Sequence, residues 1–279
     1  MNYRHAFHAG NFADVFKHSI LVRVVKTLAV KDKPFCYLDT HAGSGRYDLA
    51  GDAARKTGEY RAGVGRLFDL TDCPAEFSDY LACVRAFNPH GTLRYYPGSP
   101  HFAKHFARAQ DRLVLCELHP EAYALLKQEF ARDARVAVHL QDGYRALKAF
   151  LPPTERRGLV LIDPPYEAAD EFERVAQALA SAHVRWPSGI YAVWYPIKDA
   201  GAVARFHRVI RESGIREVLL AELRLYPDDS AIRMNGCGML LVNPPWKTLE
   251  SLRCLLPVLA RLLRQDSDAS FRAEWLVPE

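Results

Sequence analysis

A chain of 279 residues, 49% apolar and 25% charged, has room for one large α/β domain or for a domain carrying an insertion, and its composition is that of an ordinary globular protein. No apolar run approaches the ~18–20 residues of a membrane span, and the amino-terminal stretch MNYRHAFHAGNFADVFKH lacks the apolar centre of a secretion signal. A formal charge of +4 permits a nucleic-acid partner without requiring one. Six cysteines with no CxxC pair (36, 73, 83, 116, 237, 254) predict free thiols in a reducing cytoplasm, with neither a disulfide nor a zinc framework.

In chain order, apolar runs predict strands at 35–40 (FCYLDT), 112–118 (RLVLCEL), 136–142 (VAVHLQD), 158–163 (GLVLID), 190–196 (IYAVWYP), 218–226 (VLLAELRLY) and 237–243 (CGMLLVN). Helical patterns lie at 119–132, 143–151, 168–183, 199–213 and 247–264. Seven strands alternating with helices predict an α/β fold with a doubly wound, mostly parallel sheet. The last two strands, joined by the turn-rich PDDSAIRMNG, would close it as a hairpin. One interval is out of proportion. A nucleotide-binding unit places its second acidic residue ~20 residues after the glycine turn, yet Gly45 and Glu117 are separated by roughly 50 more than that. The segment 48–96 therefore reads as an inserted helical subdomain, helical where EFSDYLACVRAF (76–87) repeats its apolar residues, with 1–47 and 97–279 forming the main domain.

Each of the first four strands ends in a polar device. Asp39-Thr40-His41-Ala42-Gly43-Ser44-Gly45 follows the first, where glycines let the backbone turn tightly towards a cofactor. This is not GxGxxG, so a nicotinamide cofactor is not favoured. Glu117 ends the second strand, where a carboxylate can accept both hydroxyls of a ribose. Asp142-Gly143 ends the third, where an adenine ring would lie. Asp163-Pro164-Pro165-Tyr166 ends the fourth.

That succession is the layout of S-adenosylmethionine-dependent methyltransferases, and DPPY looks like their amino-methylating class. An adenine amino nitrogen has its lone pair delocalised into the ring. The Asp163 carboxylate and the Pro164 carbonyl can bind its two hydrogens and draw that pair out of conjugation. Tyr166 offers a face on which a flipped-out base stacks, and the prolines stiffen the loop so that the acceptors are already aimed. Asn243-Pro244-Pro245-Trp246 fits the same pattern, but it follows the last strand. Such sheets insert that strand antiparallel, so its end should face the opposite edge, as a structural turn. In the amino-terminal segment Tyr3, His5, His8, Asn11, Asp14, Lys17 and His18 invite a metal reading, which their irregular spacing disfavours; a solvated helix face is simpler. Lys17 and His18 nevertheless precede the first strand, where methyltransferases place a helix over the cofactor.

Together, YRHAFHAGNFADVFKH, YLDTHAGSGRY, YYPGSP, LIDPPYE and NGCGMLLVNPPW resemble the RlmJ family of ribosomal RNA large-subunit methyltransferases, over essentially the whole chain. The resemblance implies a Rossmann-like seven-stranded class I methyltransferase sheet with an inserted small helical subdomain and adenine-N6 methylation of 23S rRNA; a cytoplasmic monomer is expected. By matching position it implies cofactor contacts from His18, His41, Ser99, Glu117, Asp142, Gly143 and Asp163. Asp163 would also be the catalytic acceptor, Tyr3 would touch the RNA, and His5 and Lys17 would stand at the mouth of the site. Two rivals share parts of the pattern. A DNA adenine-N6 methyltransferase would need a target-recognition region, for which 48–96 could be mistaken, and a Rossmann-like RNA-binding module would have lost catalysis. A glutamine methylase would favour asparagine at position 163.

Overall fold

The computed structural model of the chain describes residues 4–227, 234–265 and 269–279. Helix α1 (Phe12–Val30) begins where the Asn11 side-chain oxygen accepts the Asp14 amide at 3.0 Å, an N-cap that satisfies one of the orphan donors of the first turn. Its residues are apolar nearly all round, and a helix of that kind must be buried. Phe16, Ile20, Leu21 and Val25 accordingly have no exposed surface. Next come β1 (Cys36–Asp39), β2 (Arg46–Asp48), α2 (Asp52–Thr57), α3 (Gly65–Phe68), α4 (Ser78–Ala86) and β3 (Tyr95–Pro97). Strands and helices then largely alternate: α5 (Ser99–Phe106), β4 (Arg112–Glu117), α6 (Pro120–Glu129), β5 (Val136–Leu140), α7 (Gly143–Phe150), β6 (Gly158–Ile162), α8 (Glu171–Arg185) and β7 (Ile190–Ile197). The chain ends with α9 (Ala200–Glu212), β8 (Val218–Arg224), β9 (Gly236–Val242), α10 (Thr248–Leu263) and β10 (Ser270–Val277).

Eight strands make one sheet in the order β10-β8-β9-β7-β6-β1-β4-β5. Parallel ladders run from β5 through β4, β1 and β6 to β7, and β9 lies antiparallel between β7 and β8. From β1 the chain goes out to β4 and β5 on one side and returns to β6 on the other. The carboxyl ends of β1 and β6 therefore flank a topological switch point, where open α/β sheets bind ligands. The seven expected strands are present, and β10 adds an eighth by pairing antiparallel with β8. Pattern alone does not predict β10. It is an edge strand, mostly exposed and carrying Arg272 and Glu274, so it lacks the apolar alternation of a half-buried strand.

Successive side chains of the central strands feed two core layers. Tyr37, Leu113, Leu115, Leu159 and Leu161 pack towards α1, α5 and α10, while Leu38, Val114, Cys116, Val160 and Ile162 pack towards α7, α8 and α9. Burial on both faces is why these strands read as continuous apolar runs. Between β2 and β3, Val64, Leu67, Tyr80 and Leu81 join the same layer as α1. Tyr47 and Tyr96 stand opposite one another in that two-stranded sheet, and the Gly98 amide donates to the Gly45 carbonyl at 2.7 Å at its base. Residues 5–11 lie across this segment: the Val64 amide donates to the Gly10 carbonyl at 2.8 Å, and the Asn11 side chain donates to Glu59 at 3.0 Å. A Cβ at Gly63 would fall 2.1 Å from the Gly10 carbonyl oxygen, so only glycine permits this approach. Among the described residues no helix is long and apolar enough to cross a membrane.

The reversed direction of β9 delivers Asn243 to the amino edge of the sheet, beside the start of β7. There its side-chain amide donates to the carbonyls of Pro187 and Gly189, both at 2.7 Å. This is a turn clamp, remote from the ends of β1, β4 and β6. Asn243→Ala leaves two carbonyls without their donor and should lower stability by about 1–3 kcal/mol. Denaturant unfolding reads this directly, and an unchanged midpoint with an unchanged slope would contradict the clamp.

Candidate active site

Carboxylates stand at the ends of β1 and β4. Asp39 is fully buried and accepts the Ser99 hydroxyl at 2.6 Å, the Tyr37 hydroxyl at 2.7 Å and the His41 amide at 3.3 Å. Burial pushes its carboxyl up to about 6, with the two hydroxyls opposing the rise. Glu117 takes the Gly43 amide on one oxygen at 2.8 Å and the His119 amide on the other at 2.7 Å. Each oxygen keeps a lone pair for a further donor. The turn above it depends on Gly43, at φ +61°, where a Cβ would meet the Tyr47 hydroxyl at 2.1 Å.

This edge opens into a cavity of about 860 Å³. The amino-terminal segment and α1 contribute His5, Lys17 and His18 to its wall. Loops at the ends of β1, β3 and β4 contribute His41, Ser99 and Glu117, and the loop after β6 contributes Asp163, Pro164 and Tyr166. Asp142 and Gly143 stand just behind the wall. Asp142 caps α7 by accepting the Arg145 amide at 2.9 Å. A Cβ at Gly143 would lie 2.3 Å from the Thr40 carbonyl and 2.9 Å from the His41 ring, so glycine lets α7 close against the β1 loop. Tyr3 lies outside the described residues.

The polar residues of α1 do not form a solvated face. Asp14, Lys17 and His18 are all buried, because the first turns of α1 are covered by the sheet, α5, α10 and the segment between β2 and β3, and only its last turns, at Lys26, Thr27 and Val30, are exposed. The Lys17 ammonium sits 2.5 Å from Asp163 Oδ2 and 2.9 Å from Asp14 Oδ1. The other Asp14 oxygen bonds His5 Nε2 and accepts the Gly10 amide, each at 2.9 Å. Burial works against every charge here. The two aspartates nonetheless raise Lys17 well above the ordinary lysine range, and His5 and Lys17 hold Asp14 well below the carboxylate range.

Burial pushes His18 well below the ordinary histidine range, outweighing the Asp14 carboxylate. Its Nδ1 pairs with the Tyr96 hydroxyl at 2.8 Å and its ring stacks on Phe102. Burial likewise takes His41 down to about 4 against the pull of Asp163 and Asp142. Tyr166 adopts φ +50°, a conformation that costs a non-glycine residue and persists only where its surroundings hold it. They do so here: its hydroxyl donates to the Trp194 carbonyl at 2.9 Å and its ring packs 4.9 Å from that of Phe172. Sequence reasoning missed Trp194, whose ring lines the cavity with the Lys17 ammonium 5.7 Å away. The buried run IYAVWYP gives no signal for it. The Tyr37–Asp39–Ser99 set is missed for a different reason, since its members come together only in three dimensions.

A doubly wound sheet, a glycine turn after β1, carboxylates closing successive strands and an acceptor-Pro-Pro-aromatic loop after β6 together define a class I, Rossmann-like methyltransferase. The family described as "Ribosomal RNA large subunit methyltransferase D, RlmJ" matches residues 32–277, and the chain belongs to that family. Two full-length relatives, each called Ribosomal RNA large subunit methyltransferase J, are similar to it throughout. The one from Escherichia coli strain K12 is 45% identical over 279 residues, and the one from Haemophilus influenzae is 43% identical over 280, with 100% of each chain covered in both cases. Among solved structures, protein LPL1258 from Legionella pneumophila superposes with a TM-score of 0.89 at 38% identity, covering 96% of this chain and 98% of that one.

His41 has a lower proton affinity folded than unfolded, so its contribution to stability is complete above about pH 6.5 and is lost as pH falls towards 4. Between pH 7 and 4 the wild type should therefore lose roughly 1–3 kcal/mol more stability than His41→Gln. Parallel stability curves for the two proteins would exclude a neutral, half-buried His41.

Proposed function

We propose that the protein transfers a methyl group from S-adenosylmethionine to the N6-amino group of an adenine in 23S rRNA. The observation that carries this reading is the placement of Asp163, on the cavity wall at the carboxyl edge of the sheet, with Pro164 and Tyr166 on the same wall. The wall suits the cofactor. His18 Nε2 is buried and finds no hydrogen-bond partner among the described residues; a buried polar atom of that kind calls for a ligand atom to pair with. Glu117 keeps acceptor capacity beside the glycine turn, as a diol requires. His18, His41, Ser99, Glu117 and Asp163, backed by Asp142 and Gly143, would hold it. When bound, S-adenosylmethionine supplies an electrophilic methyl group on sulfur.

The chain's own residues do the rest. Asp163 and the Pro164 carbonyl accept the two amino hydrogens of the base, so that the nitrogen lone pair leaves conjugation and points at the donor. The prolines hold both acceptors before the base arrives, so no reorganisation is required at the moment of reaction. Tyr166, fixed by Trp194 and Phe172, is a rigid platform for a flipped-out base. His5 and Lys17 line the cavity on the side from which the RNA would enter, and Tyr3 is assigned to RNA contact from the sequence match alone. We read 48–96 as a subdomain inserted between β2 and β3, a division supported by the Gly45–Gly98 hydrogen bond at its base.

Purified protein with labelled S-adenosylmethionine and unmodified 23S rRNA should yield N6-methyladenine, whereas labelling of duplex DNA but not of the RNA would refute the reading. Asp163→Ala should abolish turnover while sparing the fold, because Lys17 keeps Asp14 as its partner; residual transfer above about 1% of wild type would remove Asp163 from its role. Stacking of a base on an aromatic ring contributes ~1–3 kcal/mol, so Tyr166→Ala should lose about 10–100-fold in kcat/KM. Tyr166→Phe gives up only the bond to the Trp194 carbonyl and should lose less than about tenfold. Equal losses in the two variants would contradict a stacking role.

A further inference from the structure

The proposed reaction gives Asp14 no part, yet its carboxylate is among the most fully engaged in the molecule. It is 2% exposed, and one oxygen holds the Lys17 ammonium at 2.9 Å while the other holds His5 Nε2 and the Gly10 amide. Asp14 belongs to α1 and Asp163 to the loop after β6, and the ammonium between them is what joins the two. We propose that Asp14 is a positioning residue for methyl transfer: it shares the Lys17 ammonium with Asp163, fixing the cation in place and leaving the Asp163 carboxylate the negative charge it needs to accept the amino hydrogens of the base. This inference rests on the adenine-N6 reading above.

The argument is one of charge and geometry. An ammonium divided between two carboxylates neutralises neither fully, which leaves Asp163 able to accept an incoming N–H donor. If Asp14 were neutral, the nearly buried ammonium would turn wholly to Asp163 Oδ2, already 2.5 Å away, and cancel most of the carboxylate's charge. No described residue donates to Asp163 Oδ1, so that oxygen is the one left for a base. The position of Lys17 is constrained on a third side by the Trp194 ring. Asp14 is itself held by the Gly10 amide and His5, so its carboxylate has a single orientation. An asparagine could still accept the Gly10 amide. Anchoring of the amino-terminal turn is thereby separable from the charge.

Asp14→Asn and Asp14→Glu are to be assayed beside wild type, using transcribed 23S rRNA and S-adenosylmethionine, with cofactor affinity and melting measured in parallel. The expected result is a kcat about 10–100-fold lower for the asparagine variant, by analogy with the loss of a partner that orients a metal-bound side chain. The glutamate variant, whose charge is displaced by one methylene, should lose about tenfold. The KM for RNA and the cofactor affinity should stay within about twofold in both. Wild-type kcat in either soluble variant overturns the proposal. So does a loss carried by KM, by cofactor affinity or by a lowered melting point, and so does failure of both variants to fold, since each of these marks a purely structural anchor. Wild-type protein that leaves 23S rRNA unmethylated overturns the functional reading and this inference with it, whereas normal wild-type turnover beside unaffected variants overturns this inference alone.

Discussion

An ammonium group can remain charged in a protein interior only where anions surround it. Lys17 meets that condition between Asp14 and Asp163, and the requirement gives the amino-terminal helix a single register against the sheet. Sliding α1 by one turn, about 5.4 Å, would part the buried cation from Asp163. With Lys17 fixed, His18 falls between Tyr96 and Phe102, and the first turn of the helix comes to rest over the carboxyl edge of the sheet. Glu59 then ties His8 and Asn11 to the segment between β2 and β3, and its hydrogen bond to His8 raises the proton affinity of that ring. One buried charge thus aligns three parts of the chain that are far apart in sequence.

The sheet supplies the other half of the arrangement. Because β4 and β6 lie on opposite sides of β1, a crevice opens between the loops leaving these strands, and groups as distant in sequence as the Gly43 amide and the Glu117 carboxylate meet at its floor. The cavity is the space between those loops, roofed by residues 5–18. Where the strand direction changes, the same local chemistry serves a different end. Asp163 faces a cavity from the end of a forward strand, whereas Asn243, after a reversed one, fastens a turn between Pro187 and Gly189.

The sheet, its mostly parallel sense and the polar ends of its first four strands were legible because each is a local pattern: an apolar run, a glycine turn, a carboxylate at a strand end. The helices of the second half were legible for the same reason, and α6 to α10 fall within a few residues of their expected limits. What escaped the sequence depends on tertiary packing. Strand β10 forms at an edge where Arg272 reaches the buried Glu222, a contact that no periodicity foretells. The charged residues of α1 read as solvent-facing, since Asp, Lys and His on a helix ordinarily are; only the segment packed over them makes them interior. Tyr166 was legible as an aromatic ring beside prolines, but the clasp of its hydroxyl on Trp194 was not.

The Gly45–Gly98 hydrogen bond has a consequence for how the chain reaches its fold. Strand β1 pairs with β4 only after the long excursion through α2, α3 and α4, and with β6 only later still. Parallel pairing across such separations is entropically slow, because the intervening loop must close before any ladder repays it. A segment that returns to its own starting point, with Tyr47 meeting Tyr96 and Gly45 meeting Gly98, leaves only residues 40–45 and 98–111 as the effective connection between β1 and β4. Closing that small sheet first makes the β1–β4 pairing far more local than its sequence separation suggests, and the central ladder can then grow outward from β1.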